Sequence, residues 1–311
     1  MTFGGTADAA ESRRIVDAYV DADGNFLDTA NNYAGGASEE ILGEVLDGRR
    51  DQIVLATKYT APIRPGDPNS GGNHRKSLVR SLDQSLRRLR TDYIDLLWVH
   101  VWDFGTPPEE VMRALDDQVR AGKVLHVGVS DVPAWTVAQA NTLAELRGWT
   151  PFAGLQIEYS LVERTVEREL IPMAAALELT VAAWGPLAGG LLTGKYAGGG
   201  EGGLPEGEAR LTEGDRRLTE RNHAIVSALA EVAADAGATP SQVALGWLRT
   251  RGPAKVVPIV GARTADQLAE SLGCLEVELS DDHLARLDEA SRVELGFPYD
   301  FLARLAQRYR G

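Results

Sequence analysis

Apolar residues along the chain follow two spacings that alternate from end to end. Short segments such as Ile53–Lys58 are apolar at nearly every position, which is typical of strands buried on both faces. Between them lie longer segments such as His74–Leu89, in which four leucines recur at helical spacing and share one face. The pattern therefore predicts strands and helices in alternation.

The predicted elements cover most of the chain. The strands are Phe26–Thr29, Ile53–Lys58, Tyr93–His100, Val124–Ser130, Phe152–Glu158, Thr180–Trp184 and Lys255–Val260. The helices are Ala7–Val20, Ser38–Leu46, His74–Leu89, Pro108–Ala121, Pro133–Arg147, Thr165–Leu177, Arg217–Ala236, Ser241–Thr250, Thr264–Leu272 and Ser280–Arg292. We expect Ser38 to cap its helix, Pro172 to kink its helix or delay its start, and Thr264 to open a capping box with Gln267. No shift in composition marks a boundary, so we predict a single domain, residues 1–311.

The strand–helix alternation occurs about eight times, and connections of this length favour a parallel sheet. A closed (β/α)₈ barrel, the TIM barrel, takes about 250 residues, which the chain length allows. An open doubly wound sheet is the alternative, but it usually carries a glycine-rich turn after its first strand. No GxGxxG follows a strand here. Met1–Gly5 runs almost directly into a helix, where a closed barrel would have a strand.

Composition narrows the class of protein. The chain is 44% apolar and 25% charged, as in ordinary soluble proteins. Its net charge of −13 argues against nucleic acid or an anionic membrane as a partner. The one cysteine, Cys274, allows no internal disulfide and favours a reducing, cytoplasmic compartment. No apolar run approaches a membrane span of about 20 residues, and neither a signal peptide nor zinc-ligand spacing is visible.

Polar residues stand at the C-terminal ends of the predicted strands, where barrel enzymes build their sites. These residues are Asp28, Lys58, His100, Ser130, Gln156, Trp184 and Arg263, and Tyr33 lies on the loop after the first strand. Singly, each has a structural explanation: a lysine reaching the surface, a histidine satisfied in the core, an aspartate forming a turn, a tyrosine that packs. Because successive strands end in titratable groups, a site is favoured over these explanations.

Four of these residues support one kind of chemistry. Tyr33 has an ordinary pKa near 10, and the ammonium of a nearby Lys58 would stabilise its phenolate and lower that pKa. Asp28 would keep Lys58 charged and in place, and His100 could orient a substrate carbonyl oxygen. The set suits protonation of an oxygen while a hydride reaches its carbon. None of these side chains can supply a hydride, so a cofactor must.

The motifs around these residues resemble those of the aldo-keto reductases. Phe26–Ala30 with Tyr33, Ala56–Lys58, and Asp95–Leu97 with His100 resemble the catalytic Asp-Tyr-Lys-His tetrad of that family. Four further segments are similar to its cofactor-binding segments: Val127–Ser130, Leu155–Ser160, Trp184–Lys195, and Pro258–Arg263 with Gln267. The resemblance covers nearly the whole chain.

The resemblance implies a (β/α)₈ barrel that binds NADPH (NADP⁺) and transfers a hydride reversibly between it and a small aldehyde or ketone, without metal. Tyr33 would be the general acid, Trp184 would stack on the nicotinamide, Ser130 and Gln156 would hold its carboxamide, and Arg263 would meet the 2′-phosphate, helped by free N–H groups at the Thr264 helix N-terminus. Further cofactor contacts would come from Pro186, Leu187, Gly189, Leu191 and Lys195 in the pyrophosphate loop, and from Ile259, Gly261, Gln267 and Glu270 in the adenosine segment.

The sequence departs from the family pattern in three places. Ser271 stands where an asparagine often lies near the adenine, and Asp131 follows Ser130 where asparagine is common. The hairpin that plugs the barrel and most of the first strand have no counterpart before Thr2–Gly4. A barrel without that strand would expose two sheet edges and core side chains, so we expect low stability or assembly into a homo-oligomer.

Two other functions fit parts of the pattern. Some aldo-keto reductase relatives are channel β-subunits, in which the cofactor is regulatory and turnover is slow. A barrel lyase or aldolase would use Lys58 as a Schiff-base nucleophile, although Asp28 would keep that lysine protonated. Substrate identity is expected to depend on the loops Tyr59–Asn73, Val101–Pro107 and Gly198–Asp215, and on the C-terminal tail. Tyr59, Trp102 and Phe104 suggest an aromatic-walled substrate pocket there.

Overall fold

The computed structural model describes residues 2–64, 66–196, 211–212 and 214–309, with Gln307 described in its backbone alone. Pro65 and most of the predicted glycine-rich loop at 198–215 lie outside these residues. The chain divides into two compact units. The first unit is Met1–Gln156, Leu177–Thr180 and Val260–Ala269, and the second is Ile157–Ala176, Val181–Ile259 and Glu270–Gly311. The prediction of a single domain stays a prediction.

Strands and helices alternate along the described chain. The strands are β1 (Phe26–Asp28), β2 (Val54–Tyr59), β3 (Ile94–Val99), β4 (Val124–Ser130), β5 (Phe152–Glu158), β6 (Thr180–Trp184) and β7 (Val256–Pro258). The helices are α1 (Ala9–Asp21), α2 (Ala37–Val45), α3 (Arg75–Leu89), α4 (Pro108–Arg120), α5 (Ala134–Arg147), α6 (Leu170–Ala176), α7 (Glu220–Asp235), α8 (Pro240–Arg249), α9 (Ala265–Leu272), α10 (Asp281–Ala290) and α11 (Tyr299–Tyr309).

All strand pairs within the units are parallel and join neighbours in the chain. In the first unit β1, β2, β3, β4 and β5 pair in that order, and in the second unit β6 pairs with β7. A doubly wound sheet reverses its strand order at a switch point. The five strands of the first unit have no such reversal, because each pairs with the next strand along the chain. The fold class is therefore α/β of the (β/α)₈ type, as the sequence predicts. Before α1 the described residues form one isolated bridge, between Phe3 and Ala7, and no strand.

Glycines and prolines explain where two helices begin. The prediction that Ser38 caps α2 is wrong: α2 already begins at Ala37, because Gly36 adopts a φ of 105° that turns the chain into the helix. The Ser38 hydroxyl instead bonds that of Thr29 at 2.8 Å. Pro172 delays α6 as expected, since α6 begins at Leu170, two residues before it.

A buried ion pair joins two helices to the sheet of the first unit. Glu39 of α2 is fully buried and accepts a hydrogen bond from the Thr57 hydroxyl of β2 at 2.5 Å. Its other oxygen pairs with Arg88 of α3 at 2.7 Å. The carboxylate thus satisfies groups on two different elements, which fixes α2 and α3 against β2.

Candidate active site

Tyr33 is carried by a tight turn directly after β1. The chain leaves the strand with Asn31 N–H donating to the Lys58 carbonyl at 3.1 Å. A short 3-10 turn then runs from Tyr33 to Gly36, with φ values of 50° at Ala34 and 66° at Gly35. Gly35 adopts its angle without steric cost, and the Tyr33 ring lies over the end of β2. The ring centroid lies 4.9 Å from Lys58 Nζ.

Lys58 has no exposed surface, and its ammonium has two acceptors. It donates to Asp28 Oδ2 and, at 2.8 Å, to the Thr29 carbonyl. A buried ammonium needs such partners, because removing it from water costs several kcal/mol otherwise. These acceptors hold the lysine beneath the Tyr33 ring, and the pair with Asp28 that the sequence predicts is formed.

Asp28 is held on its other side by two neutral donors. Its Oδ1 accepts from the Trp98 indole N–H at 3.0 Å and from the Gln156 amide at 3.2 Å. The four side chains come from β1, β2, β3 and β5, so the carboxylate joins four of the five strands in the first unit. Trp98 is a contact that the sequence reading missed, because a tryptophan inside an apolar strand has the pattern of a core residue.

Burial sets the protonation state of Tyr33. Its pKa is raised above 10, first by burial and further by the charges of Asp28 and Asp131. Lys58 lowers the pKa of Tyr33 by its charge and by a hydrogen bond, as expected. The expected net lowering is wrong, however, because loss of solvation outweighs Lys58. Tyr33 is therefore a neutral phenol at pH 7.

His100 lies against Tyr33 and is also neutral. The two rings meet edge to face with centroids 5.7 Å apart. Burial, followed by the charge of Lys58, lowers the pKa of His100 to about 4. Its Nδ1 is buried and has no hydrogen-bond partner among the described residues. A histidine satisfied in the core would have such a partner, so this nitrogen does not fit the structural explanation.

Two loops beside the tetrad are fastened to each other. Asn73 N–H donates to Asp103 Oδ2, and Asp103 N–H donates to Asn73 Oδ1, each at 2.7 Å. The Asn73 amide also donates to the Thr60 hydroxyl at 2.9 Å. We call this pair the Asn73–Asp103 clasp. It ties the loop after β2 to the loop after β3, which are two of the three loops that the sequence assigns to substrate selection.

The aromatic residues of the predicted substrate pocket differ in exposure. Tyr59 is 1% exposed and donates its hydroxyl to the Asn73 carbonyl, so it supports the clasp. Trp102 is 5% exposed, whereas Phe104 is 73% exposed. Thr60, next to Tyr59, has a φ of 100°, which β-branched residues rarely adopt. Such strain, of about 1–3 kcal/mol, collects near functional sites.

The first unit holds five of the predicted cofactor contacts: Ser130, Gln156, Gly261, Arg263 and Gln267. Ser130 and Gln156 are buried and lie opposite each other in the β4–β5 register. The capping box is half formed: Thr264 accepts from Gln267 N–H at 3.2 Å, but the Gln267 side chain accepts from Arg263 N–H at 2.9 Å. The N–H of Ala265 is not free as expected, since it donates to Glu11 at 2.9 Å.

The second unit holds the other eight: Trp184, Pro186, Leu187, Gly189, Leu191, Lys195, Ile259 and Glu270. Trp184 ends β6, and Ile259 N–H donates to Ala183 just beyond β7 at 2.8 Å. Leu191 is fully buried. Glu270 accepts from the Thr239 hydroxyl at 2.9 Å.

The turn that follows β6 brings two cations onto glycine backbone. Gly189 and Gly190 have φ values of 69° and 95°. A Cβ on Gly189 would lie 2.6 Å from Arg217 Nη1, and a Cβ on Gly190 would lie 3.4 Å from Lys195 Nζ. Backbone without side chains beside cationic side chains suits an anionic group such as a pyrophosphate, and Asp215 holds the Arg217 guanidinium at 2.9 Å. Arg217 is the second residue that the sequence reading missed, because only the folded chain brings it to this turn.

The chain belongs to the aldo/keto reductase family, whose model matches residues 1–292. This is a family of oxidoreductases that use a nicotinamide cofactor, and membership confirms the (β/α)₈ fold class. None of the helices in the described ranges combines the length and apolarity required to cross a membrane.

Several named proteins are similar to this chain over most of its length. A norsolorinic acid reductase of Emericella nidulans is 41% identical over 305 residues, which span 95% of this chain and 76% of that protein. An aryl-alcohol dehydrogenase (NADP⁺) of Phanerodontia chrysosporium is 38% identical over 309 residues, 95% of this chain and 80% of that protein. A probable aryl-alcohol dehydrogenase of Saccharomyces cerevisiae is 38% identical over 312 residues, 96% and 93%.

Proposed function

We propose that this protein reduces an aldehyde or ketone to an alcohol with NADPH, reversibly, and that Tyr33 is the general acid. The observation that carries the proposal is the buried Asp28–Lys58 pair beneath a neutral Tyr33, with a neutral His100 at its edge. The cofactor would supply the hydride that these side chains lack.

The four residues have separate tasks in this proposal. The Tyr33 hydroxyl gives its proton to the carbonyl oxygen as the carbon is reduced, and the Lys58 ammonium stabilises the phenolate that remains. Neutral His100 donates an N–H to the same oxygen and orients it. Asp28 holds Lys58 in place. The Schiff-base alternative fits poorly, because Lys58 is fully buried and both its acceptors would have to be given up.

We propose cofactor contacts in each unit from the hydrogen-bonding capacity and charge of its side chains. Gln156 gives its amide N–H to Asp28, so its oxygen is the atom left to accept from the nicotinamide carboxamide, with Ser130 beside it. Arg217 would join Lys195 at the pyrophosphate through the glycine turn. Arg263 would meet the 2′-phosphate, which favours NADPH over NADH. The NADP⁺ in the name of the Phanerodontia relative supports this preference.

The substrate class we propose is an aromatic aldehyde or ketone. The similar proteins are named for norsolorinic acid and for aryl alcohols. Trp102 and Phe104, on the loop fastened by the Asn73–Asp103 clasp, give that loop aromatic side chains two and four residues after His100 in the chain. Aromatic rings on a rigid loop favour planar aromatic ligands.

Replacing Tyr33 by phenylalanine tests the proposal. Tyr33→Phe keeps the ring and removes the proton, so we expect kcat for benzaldehyde-type substrates to fall by about 10²–10⁴-fold. NADPH binding, followed by fluorescence, should be retained. Tyr93→Phe is the control, since that hydroxyl bonds Asp51 at the other end of β3. Undiminished reduction by Tyr33→Phe would exclude Tyr33 as the acid.

Replacing Arg263 by alanine tests the cofactor preference. We expect the Kd for NADPH to rise by about 10- to 100-fold, which is the effect of losing a charge-assisted contact to phosphate. The Kd for NADH should change by less than about twofold. Arg292→Ala, which removes an arginine that is 76% exposed, is the control. Equal losses for the two cofactors would mean that Arg263 does not contact the 2′-phosphate.

A further inference from the structure

Trp98 lies in a slot that two glycines create. It is 2% exposed, and it faces Gly128 in the β3–β4 register, which in turn faces Gly154 in the β4–β5 register. A Cβ on Gly128 would lie 2.4 Å from the Trp98 ring, and a Cβ on Gly154 would lie 3.1 Å from it. The indole ring therefore extends across two neighbouring strands, which no side chain larger than hydrogen would permit at Gly128.

The same row of the sheet carries the lysine of the tetrad. Lys58 faces Trp98 in the β2–β3 register. Residues in one row of a parallel sheet project on the same face, so Lys58 and Trp98 approach Asp28 together. The indole N–H reaches Asp28 Oδ1 at 3.0 Å, while Lys58 takes Oδ2.

We propose that Trp98 is a positioning residue for the reaction, seated by Gly128 and Gly154, and that its indole N–H orients Asp28 so that Lys58 stays against Tyr33. The inference rests on the proposed role of Tyr33. It adds a residue outside the tetrad, and it assigns a purpose to two glycines in strands where glycine otherwise costs stability.

Asp28 divides its negative charge between the hydrogen bonds that its two oxygens accept. A carboxylate that accepts two N–H bonds on Oδ1 has less negative charge to place on Lys58 through Oδ2. Without the indole donor, less of the Asp28 charge is shared with Oδ1 and the carboxylate can rotate, so it attracts Lys58 more strongly and draws the ammonium from the phenol. The other groups that act on Tyr33 are Asp131, which is negative, and His100, which is neutral at pH 7. A weaker effect of Lys58 makes the phenolate harder to form.

The experiment is the pH profile of alcohol oxidation, in which Tyr33 must lose its proton first. For Trp98→Phe we expect kcat to fall by about tenfold at pH 7 and the midpoint of the profile to move to higher pH by about 0.5–1 unit. The KM for the cofactor should change by less than about twofold. Removal of a merely structural side chain would lower stability and leave the midpoint in place.

The matched control is Trp247→Phe. Trp247 is fully buried, and its indole N–H donates to Asp288 at 3.0 Å in the second unit. The substitution removes the same kind of hydrogen bond to an aspartate, so it should lower the melting temperature and leave the pH midpoint unchanged. A shift of the midpoint in this variant as well would overturn the specific role of Trp98.

Gly128→Ala tests the slot while the indole remains present. The added methyl group would push the ring away from Asp28, so we expect the same alkaline shift as for Trp98→Phe. The double variant, Gly128→Ala with Trp98→Phe, carries a smaller ring beside the added methyl group. It should regain the stability lost in Gly128→Ala, while its pH midpoint should stay shifted. It serves as the test if Trp98→Phe alone does not fold. An unshifted midpoint in both Trp98→Phe and the double variant would overturn the inference. Loss of turnover in Tyr33→Phe would still support the proposed function in that case.

Discussion

Burial decides the protonation of both titratable rings at the candidate site. It raises the pKa of Tyr33 and lowers that of His100 to about 4, and in each case it is the largest cause. Both rings are therefore neutral proton donors at pH 7. The sequence predicts the sign of the Lys58 effect on Tyr33 but not the net shift, because desolvation depends on side chains packed around the ring from several elements.

The charge of Asp131 is a second influence on the pKa of Tyr33. Asp131 raises the pKa of Tyr33, and its φ of 45° is one that asparagine adopts readily. For Asp131→Asn we expect an unchanged fold and an alkaline midpoint of alcohol oxidation lowered by about 0.3–0.5 unit, because one negative charge is removed. The direction is opposite to that expected for Trp98→Phe.

The control for Asp131→Asn is Asp23→Asn. Asp23 has a backbone conformation similar to that of Asp131, with a φ of 61°. It lies before β1, whereas the candidate site lies at the other end of that strand, where Asp28 stands. The control should leave the pH profile in place. A midpoint raised or unmoved by Asp131→Asn would mean that Asp131 does not act on Tyr33.

Polar groups that end strands are visible in the sequence, whereas groups that reach the site from elsewhere are not. Asp28 and Lys58 were predicted as a pair, and they are one. Trp98 stands inside an apolar strand, and nothing in a linear pattern tells which neighbouring strands carry glycine opposite it. Arg217 was missed because its approach to Gly189 depends on the folded turn.

Among the elements, the buried Glu39–Arg88 pair attaches α2 to α3. Both partners come from helices, and Arg88 is only 16% exposed. For Glu39→Ala we expect the free energy of unfolding to fall by about 3 kcal/mol, because the guanidinium is left buried without a counter-charge. Urea unfolding measures this.

Glu44→Ala on the same helix is the control. Its pair with Arg90 is 53% and 59% exposed, and exposed pairs contribute about 0–1 kcal/mol. Similar losses in the two variants would mean that burial of the Glu39 pair has no special effect. The comparison separates the ion pair from the helix propensity of alanine, which both variants share.

Element boundaries followed from the sequence where capping chemistry was unambiguous. The helix predicted from Ser280 begins at Asp281, because the Ser280 hydroxyl caps α10. Pro172 delays α6. The prediction at Ser38 was wrong because serine is a common N-cap residue, whereas the backbone of Gly36 starts α2 one residue earlier. Helix α11 was not predicted: Phe301 and Leu302 are each about half exposed, so its apolar pattern does not mark a buried face.

At the scale of the whole molecule, His100 makes stability depend on pH. Its pKa is about 4 in the folded protein and 6.5 ordinarily, so the unfolded chain binds the proton first as the pH falls. Stability from this group is complete above about pH 6.5 and decreases towards pH 4, by up to about 3 kcal/mol.

Urea unfolding at pH 7, 5 and 4 checks this expectation. The decrease should be smaller in His100→Asn than in the parent protein, since the substituted side chain does not titrate. His126→Asn, which changes an exposed histidine of β4, should keep the full decrease. Parallel curves for the parent protein and His100→Asn would show that His100 is not the group responsible.

The order of the strands was the most predictable property of the molecule. Buried runs separated by amphipathic helices leave few parallel arrangements, and the five strands of the first unit pair in chain order. The division of contacts into two compact units was not predicted, because composition does not change along the chain. How tightly groups of elements pack together is a property of three-dimensional contacts, which hydrophobic periodicity does not record.

The Asn73–Asp103 clasp has a consequence for exchanging parts between related proteins. The loop after β2 and the loop after β3 each complete the other's backbone hydrogen bonds. Transplanting one loop alone from a relative would leave buried donors and acceptors of the host loop unmatched, each at a cost of about 1–3 kcal/mol. In recombination, natural or designed, the two loops should be inherited as a unit. Substrate preference should pass between relatives only when both loops are exchanged.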